Sequence, residues 1–217
     1  MKLEVRLLDQ PLTLVTAPGL FSPGGVDRGT QWMLECLRLR PEGERALDLG
    51  CGCGVVGLYL CKRGCAVDFC DIDPLALACT KQGLEENGLT GGQLFCGDGF
   101  RAVRGGPYTL ILSNPPYHAD FSVAKGFIEG AFRHLELGGR LYMVVKRLDW
   151  YRNKLRSVFG GVQVFPREGY FVLLAEKRGE GRPPRAKTKT KPQDGLSKKL
   201  RRKQQRQSPP PSSPPAP

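Results

Sequence analysis

Hydrophobic and polar positions follow two different periods along most of the chain. Short apolar runs, typical of buried strands, are separated by longer stretches in which apolar residues recur at the spacing of one helix face. Residues 2–7 and 12–16 instead alternate on either side of Gln10-Pro11, which predicts an N-terminal hairpin within residues 1–17. The apolar runs predict strands over residues 45–49, 66–70, 93–96, 108–113, 140–145, 162–166 and 170–176.

The stretches between these strands carry helix-start signals. Asp27 is a good N-cap residue, and Pro74 falls in a first helical turn, where the missing N–H costs nothing. The pattern predicts helices that end near residues 39, 63 and 87, and two more over residues 121–137 and 150–159. Strands that alternate with helices predict an α/β fold with a doubly wound, mostly parallel sheet. The last two strands lie too close together for a helical crossover and predict an antiparallel hairpin at one edge.

Charge divides the chain into two parts. The net charge is +12, but residues 179–217 hold 11 Lys and Arg with only two acids, so about +9 lies in this segment. The segment also holds nine of the 18 prolines and almost no large apolar residues, so burial cannot offset its ordering entropy. We predict a folded domain over residues 1–178 and a disordered basic tail over 179–217. Such a tail suits a polyanionic partner, because phosphate contacts release counterions; a merely solubilising tail is the alternative.

The remaining composition bears on the compartment. The first residues alternate in charge, and no apolar run approaches 18 residues, which predicts a cytoplasmic protein without a signal peptide or membrane association. None of the eight cysteines forms a C-x-x-C pair. Free thiols in a reducing compartment explain them better than disulfides or a metal site, so we expect no metal.

A glycine-rich turn follows the first core strand. Gly50, Gly52 and Gly54 lie where this strand meets its helix, and glycines there permit a tight turn and close approach of backbone to a ligand. In an open parallel sheet, ligands bind beyond the carboxyl ends of the strands. Residues 52–57 match G-x-G-x-x-G, with Asp71 about 20 residues on, a pattern that fits either a dinucleotide or adenosylmethionine.

Three acids at the ends of three successive strands separate these two ligands. Asp48, Asp71 and Asp98 would repel a pyrophosphate but attract a cationic nucleoside. Asp48 is placed to attract an ammonium or sulfonium, Asp71 to accept from ribose hydroxyls, and Asp98 to accept from an adenine amino group. Each acid taken alone also fits a turn or a helix cap. Together they predict a site for S-adenosyl-L-methionine.

The segment Asn114-Pro115-Pro116-Tyr117 follows the fourth core strand. Its prolines lack N–H groups and hold the preceding residues extended, so carbonyl oxygens are the local polar groups. A conjugated amino group is a poor nucleophile because its lone pair is delocalised. Acceptance of its two hydrogens by the Asn114 side chain and the Pro115 carbonyl would localise that lone pair for attack on a sulfonium methyl. Tyr117 is predicted to stack on a planar, flipped-out substrate, with Pro116 and Phe21 as further substrate contacts.

Residues 14–178 resemble the small-domain class I methyltransferases related to bacterial ribosomal RNA guanine-N2 methyltransferases. The resemblance rests on residues 18–22, 26–31, 46–57 and 113–118. It implies a Rossmann-like seven-stranded sheet with an antiparallel strand seven, and adenosylmethionine over residues 50–54. A loop over residues 21–30, which includes Gly29 and Thr30, would close the methionine end.

The resemblance also implies a reaction and a partner. The expected reaction is methyl transfer to N2 of a guanine in ribosomal RNA, with the RNA or a ribosomal subunit as partner. The ribosomal enzymes of this family carry a second, degenerate domain ahead of the catalytic one. This sequence starts almost at the catalytic domain, so the exact target stays open, and the basic tail is expected to act instead as a non-specific nucleic-acid tether.

Four other functions fit parts of the sequence. A protein glutamine-N5 methyltransferase faces the same chemical problem with a carboxamide nitrogen, and adenine-N6 methylation of DNA or RNA is a further alternative. A catalytically inactive RNA-binding module would not need the intact Asn114 segment and the three acids. A nicotinamide oxidoreductase is disfavoured by the same carboxylates.

Overall fold

The computed structural model describes residues 1–20, 25–40, 42–115 and 121–180. Several predictions fall outside the described residues: those on Phe21, Pro116 and Tyr117, and nearly all of the basic tail.

The described residues form nine strands, five α-helices and one 3-10 turn at Gly99–Arg101. The strands are β1 (Lys2–Leu7), β2 (Gln10–Val15), β3 (Arg45–Leu49), β4 (Ala66–Asp71), β5 (Leu94–Cys96), β6 (Tyr108–Ser113), β7 (Leu135–Val145), β8 (Gln163–Arg167) and β9 (Tyr170–Glu176). The helices are α1 (Arg28–Glu35), α2 (Val55–Lys62), α3 (Pro74–Glu86), α4 (Phe121–His134) and α5 (Leu148–Phe159).

Seven strands form one sheet in the order β5-β4-β3-β6-β7-β9-β8. Strands β3 to β7 are mutually parallel, and β9 runs antiparallel between β7 and β8. These observations confirm the predicted doubly wound sheet, its antiparallel seventh strand (β9) and the antiparallel hairpin that β8 and β9 form at one edge. The chain first adds β4 and β5 on one side of β3 and then crosses to place β6 on its other side. The strand order reverses between β3 and β6, which is where an open α/β sheet forms a ligand-binding crevice.

Helices cover both faces of the sheet. Side chains of α1, α2, α3 and the β1–β2 hairpin share one buried cluster, and those of α4 and α5 share another. Because successive strand residues point to opposite faces, Leu47 and Leu49 pack toward α4 and α5, whereas Ala46 packs on the other side. The same alternation places Asp48 on the face of α2. Within the described ranges, no helix is long and apolar enough to cross a bilayer.

Two helix ends differ from the sequence prediction. Helix α1 ends at Glu35 rather than near residue 39. The Leu37 N–H donates to the Leu34 carbonyl at 3.2 Å, a tighter turn that closes the helix, and further on the Arg40 N–H donates to Glu44 Oε1 at 2.9 Å. Helix α4 ends at His134 rather than near residue 137, and β7 begins at once. The Gly138 N–H donates to the Lys177 carbonyl at 2.8 Å, which holds this stretch beside the last strand.

Candidate functional site

A cavity of about 360 Å³ opens at the carboxyl ends of β3, β4 and β6. Its volume lies in the range of small-molecule and cofactor sites. The cavity brings together most of the predicted site residues that the structure describes. These are Thr30, Asp48, Gly50, Gly52, Asp71, Asp98 and Asn114.

The glycine-rich turn contributes in two different ways. Gly50, Gly52 and Gly54 all have positive φ, at 73°, 55° and 80°, a region that strongly favours glycine. A Cβ on Gly52 would meet no atom within 4 Å, whereas a Cβ on Gly54 would lie 2.9 Å from the Thr80 side chain. Gly50 and Gly52 therefore expose backbone to the cavity, and Gly54 lies behind its wall, where α2 starts against α3. The Thr80 hydroxyl also donates to the Gly52 carbonyl at 3.0 Å and fixes the turn.

Asp48 is the buried acid of the site. Its side chain lines the cavity, and the residue is only 3% exposed. Burial raises the pKa of Asp48 to about 7, against the opposing effect of the Gly57 N–H, which donates to Oδ2 at 2.8 Å. Near pH 7 the Asp48 carboxyl is therefore present in both its charged and its uncharged form. A cation in the cavity would favour the charged form.

Asp71 and Asp98 line the same cavity but differ in their contacts and in their exposure. The Asp71 carboxylate accepts from the Gly52 N–H at 2.8 Å and from the Asp73 N–H at 3.0 Å, so it holds the glycine-rich turn in place. Asp98 has a side chain that is 56% exposed and lies 3.1 Å from the Arg101 guanidinium. Asp73 caps α3 by accepting from the Leu75 N–H at 2.8 Å, directly before Pro74 at the first helical position.

Asn114 has one satisfied and one unsatisfied end. Its Nδ2 donates to Asp27 Oδ2 at 2.8 Å and to Thr30 Oγ1 at 2.9 Å. A carboxylate only accepts hydrogen bonds, so this contact fixes which end of the amide is nitrogen. The buried Asn114 Oδ1 finds no hydrogen-bond donor among the described residues. An unsatisfied buried acceptor costs on the order of 1–3 kcal/mol, and a ligand N–H that donates to this oxygen would remove that cost.

Asp27, which sequence reasoning identified only as a helix cap, contacts the Asn114 side chain and lines the cavity. It does cap α1, with Oδ2 accepting from the Thr30 N–H at 3.1 Å, and Tyr170 donates to its Oδ1 at 3.3 Å. A Cβ on Gly29 would lie 2.7 Å from atoms of Tyr170 and Val144. Gly29 therefore lets α1 approach the sheet, whereas Thr30 lines the cavity. The signal available in the sequence was the Asp-x-Gly-Thr segment.

Helix α4 supplies a cavity wall that the sequence did not predict. Phe127 and Val123 line the cavity, and a Cβ on Gly99 would lie 2.9 Å from the Phe127 ring. Phe127 thus takes the room left by the glycine at the start of the 3-10 turn. Its position on the inner face of an amphipathic helix marks it as a packing residue, and only the tertiary structure brings it to the cavity.

Pro115 lines a small separate cavity together with Phe121 and Arg147. Its predicted neighbours in substrate contact, Pro116, Tyr117 and Phe21, lie outside the described residues.

The cysteines are free thiols, as predicted. Burial raises the pKa of Cys53 to about 11 and that of Cys70 to about 12, so both are neutral near pH 7. Cys51, Cys53 and Cys70 line the cavity as small apolar groups.

Residues 11–175 match the family described as methyltransferase small domain. The chain is 34% identical over 184 residues to the ribosomal RNA small subunit methyltransferase C of Pseudomonas entomophila, with 82% of this chain and 54% of that protein covered. The same enzyme of Chromohalobacter salexigens is 37% identical over 174 residues, covering 77% of this chain and 49% of the relative. The chain thus spans about half the length of the curated relatives it matches.

Two solved structures resemble the chain. The T. thermophilus 16S rRNA N2 methyltransferase RsmC, in complex with AdoMet and guanosine, matches with a TM-score of 0.76 at 30% identity, over 82% of this chain and 50% of that one. A methyltransferase from Pyrococcus furiosus matches with a TM-score of 0.65 at 20% identity, over 77% and 89% of the two chains, a likeness of fold alone.

Proposed function

Because the chain belongs to the methyltransferase small domain family, we propose that it transfers a methyl group from S-adenosyl-L-methionine to N2 of a guanine in ribosomal RNA. The observation that carries the proposal is the buried Asn114 Oδ1, which has no donor among the described residues and belongs to a side chain on a cavity that five aspartates also line. The curated relatives named above support ribosomal RNA as the substrate. The structural neighbour crystallised with AdoMet and guanosine supports both ligands.

The residues of the cavity fit adenosylmethionine. Asp48 would hold the cationic end of the cofactor, since its carboxyl is balanced between two charge states and a cation would ionise it. Asp71 keeps acceptor capacity for hydroxyl groups beyond its two backbone contacts. Asp98 is exposed and offers a carboxylate to an amino group. When bound, the cofactor supplies an electrophilic methyl group on a positively charged sulfur.

The chain's own contribution to the reaction is to orient the amino nitrogen. Asn114 Oδ1 and the Pro115 carbonyl would accept its two hydrogens, which favours a pyramidal nitrogen and localises the lone pair. Positive charge develops on this nitrogen as the new N–C bond forms and the methyl–sulfur bond breaks, and both oxygens would be dipoles directed at that charge. The alkylated nitrogen is more acidic and loses one proton to solvent. Positioning and preorganised electrostatics of this kind account for large parts of enzymatic rate enhancements.

The test is to incubate the purified protein with tritiated adenosylmethionine and fractionated RNA, DNA and protein from cells that lack the enzyme. We expect label in RNA, recovered as N2-methylguanosine after digestion to nucleosides, and its loss in Asn114→Ala. Asn153→Ala, a change of the same kind at an exposed position of α5, is the matched control and should keep full activity. Label confined to a protein glutamine or to N6-methyladenosine would refute the proposal.

We further propose that the basic tail, residues 179–217, tethers the enzyme to RNA without sequence preference. Its surplus of about nine positive charges supports this role. Deletion of the tail is expected to weaken RNA binding. The slope of log affinity against log salt should become shallower by about 0.7 for each phosphate of single-stranded RNA that the tail neutralises. Equal affinities with and without the tail across a salt series would refute the tether.

A further inference from the structure

A stacked aromatic pair lies beside the residue that follows Asn114. The rings of Phe121 and Trp150 have centroids 4.6 Å apart and an interplanar angle of 29°. Tyr151 meets the Trp150 ring edge-on at 5.0 Å and is itself buried, so it fixes the pair from beneath. Phe121 is 39% exposed although it is large and apolar. Because Phe121 and Pro115 line one small cavity, the pair adjoins the proposed reaction site.

The stretch of chain that carries this aromatic pair is net positive. Residues 121–159 hold eight Lys and Arg against three acids, a net charge of +5, while residues 1–180 as a whole carry only +2. The rest of the folded domain is therefore net negative. Lys146 and Arg147 are exposed and follow β7 at the same edge of the sheet as the cavity. Arg147 lines the small cavity together with Phe121 and Pro115.

We propose that Phe121, Trp150 and Arg147 form a binding site for the nucleotide next to the target base on single-stranded RNA. The base stacks on the aromatic pair, and Arg147 contacts the adjoining phosphate. An aromatic platform combined with cationic side chains is the usual means of holding single strands without reading their sequence. The inference deepens the proposed function and rests on it, because it assumes that the substrate is RNA.

Helix packing alone and an acidic protein ligand each explain only some features of this surface, whereas RNA explains all of them. Packing between α4 and α5 explains the buried Tyr151 but not a Phe121 that is more than one-third exposed beside a cationic side chain. An acidic protein segment would match the charge but would leave the stacking surface unused. RNA supplies both an aromatic face and a phosphate in each nucleotide.

Fluorescence of Trp150 gives a direct test. The chain has two tryptophans, so Trp32→Phe leaves Trp150 as the only one. We expect a short guanine-containing single-stranded RNA, added without cofactor, to quench Trp150 emission and to reach saturation. Trp150→Leu, made in the protein that keeps Trp32, should bind this RNA about tenfold more weakly. Arg147→Gln should lower the slope of log affinity against log salt by about 0.7.

Arg63→Gln is the matched control for Arg147→Gln. Arg63 is partly exposed, pairs with Asp9 and belongs to the opposite face of the sheet, so its loss should leave RNA affinity unchanged. Thermal unfolding of each variant identifies any loss of fold. Unchanged Trp150 emission on RNA addition, or equal salt slopes for the two arginine variants, would overturn the inference. Quenching of Trp150 by a polyglutamate peptide that displaces the RNA would overturn it in favour of a protein partner.

The binding assay separates this inference from the proposed function, since no methyl transfer is involved. Formation of N2-methylguanosine by a protein whose Trp150 does not respond to RNA would refute the inference alone. Quenching and salt slopes as expected, without any methylated nucleoside, would refute the proposed function alone.

Discussion

The side-chain amide of Asn114 donates to Asp27 Oδ2 over 2.8 Å, although 87 positions separate the two residues in the chain. Asp27 caps α1, and Gly29 lets that helix lie directly against Val144 and Tyr170 of the sheet. The orientation of the Asn114 amide is therefore set by a helix from another part of the chain. The contact leaves Oδ1 as the end available to a ligand.

Replacement of this carboxylate should slow methyl transfer without weakening RNA binding. Asp27→Asn keeps a good N-cap residue but can present an NH₂ group to Asn114, which removes the preference for one amide orientation. We expect the single-turnover rate constant to fall on the order of 10- to 100-fold. The dissociation constant for RNA, measured at equilibrium, should change by less than about twofold. Because Asp27 also lines the cofactor cavity, the rate constant is measured at saturating cofactor.

Asp68→Asn provides the comparison for this variant. Asp68 also accepts two hydrogen bonds, from Tyr108 and from the Gln93 N–H, but has no contact with the Asn114 site. It should lose stability and keep its rate constant. A full rate constant in Asp27→Asn would show that Asn114 is oriented without its help.

The fold was predictable because its signals are local. Strands β3 and β6 match the apolar runs at residues 45–49 and 108–113, and glycine turns or proline mark where the following helices start. The helix ends were less predictable, since they depend on distant partners. Beyond the end of α1, the Arg40 N–H donates to the carboxylate of Glu44, a contact that no periodicity reveals.

The site was predictable where it is built from strand ends. Asp48, Asp71, Asp98 and Asn114 line one cavity because the carboxyl ends of neighbouring parallel strands meet at one edge. The role of Asp27 and the place of Phe127 were not predictable. Both depend on how a helix packs against the sheet, and each residue has an ordinary local explanation, as a cap or as a core aromatic.

Asp48 should make stability depend on pH. Its pKa is about 7 in the folded protein, against the 3.8 of an unperturbed aspartate side chain. Between pH 3.8 and pH 7 the folded state retains a proton that the unfolded state has lost. The free energy of unfolding therefore decreases as the pH rises toward 7. Asp48→Asn should unfold with a free energy that exceeds the wild-type value above pH 7 by up to about 4 kcal/mol. Urea unfolding of both proteins at pH 5 and pH 8 measures the difference, and a pH-independent difference would contradict the prediction.

The same carboxyl should couple cofactor binding to proton release. A cation favours ionised Asp48, so below pH 7 binding must expel a proton, and affinity for adenosylmethionine should rise as pH increases from 5.5 to 7. The limit is about tenfold per pH unit. Calorimetry in buffers of different ionisation enthalpy detects the released proton. Asp48→Asn should bind more weakly at pH 7 and without proton release; release undiminished in this variant would assign the proton to another group.

Alanine substitutions at two glycines of one turn should have different effects, one mainly on stability and the other on cofactor affinity. Gly52 and Gly54 both have positive φ, so alanine at either strains the backbone by about 1–2 kcal/mol. In Gly54→Ala the new methyl would also lie 2.9 Å from Thr80, which adds an overpacking cost of about 1–3 kcal/mol. In Gly52→Ala the methyl would enter the cavity, so cofactor affinity should fall at least about tenfold. Urea unfolding and calorimetry separate the two losses; equal stability of the two variants would contradict the packing argument.

The Glu44–Arg140 pair should govern stability rather than catalysis. The Glu44 side chain is fully buried at the amino end of β3, opposite the cavity, and accepts from Arg140 and from the Thr109 hydroxyl. Glu44→Ala leaves the largely buried guanidinium without its charge partner, a change that costs about 3–5 kcal/mol. Glu44→Ala combined with Arg140→Met should lose less than the sum of the single changes, because the stranded charge is gone. Urea unfolding gives the coupling. A slower rate constant in the folded double variant would show that the amino edge of the sheet also shapes the site.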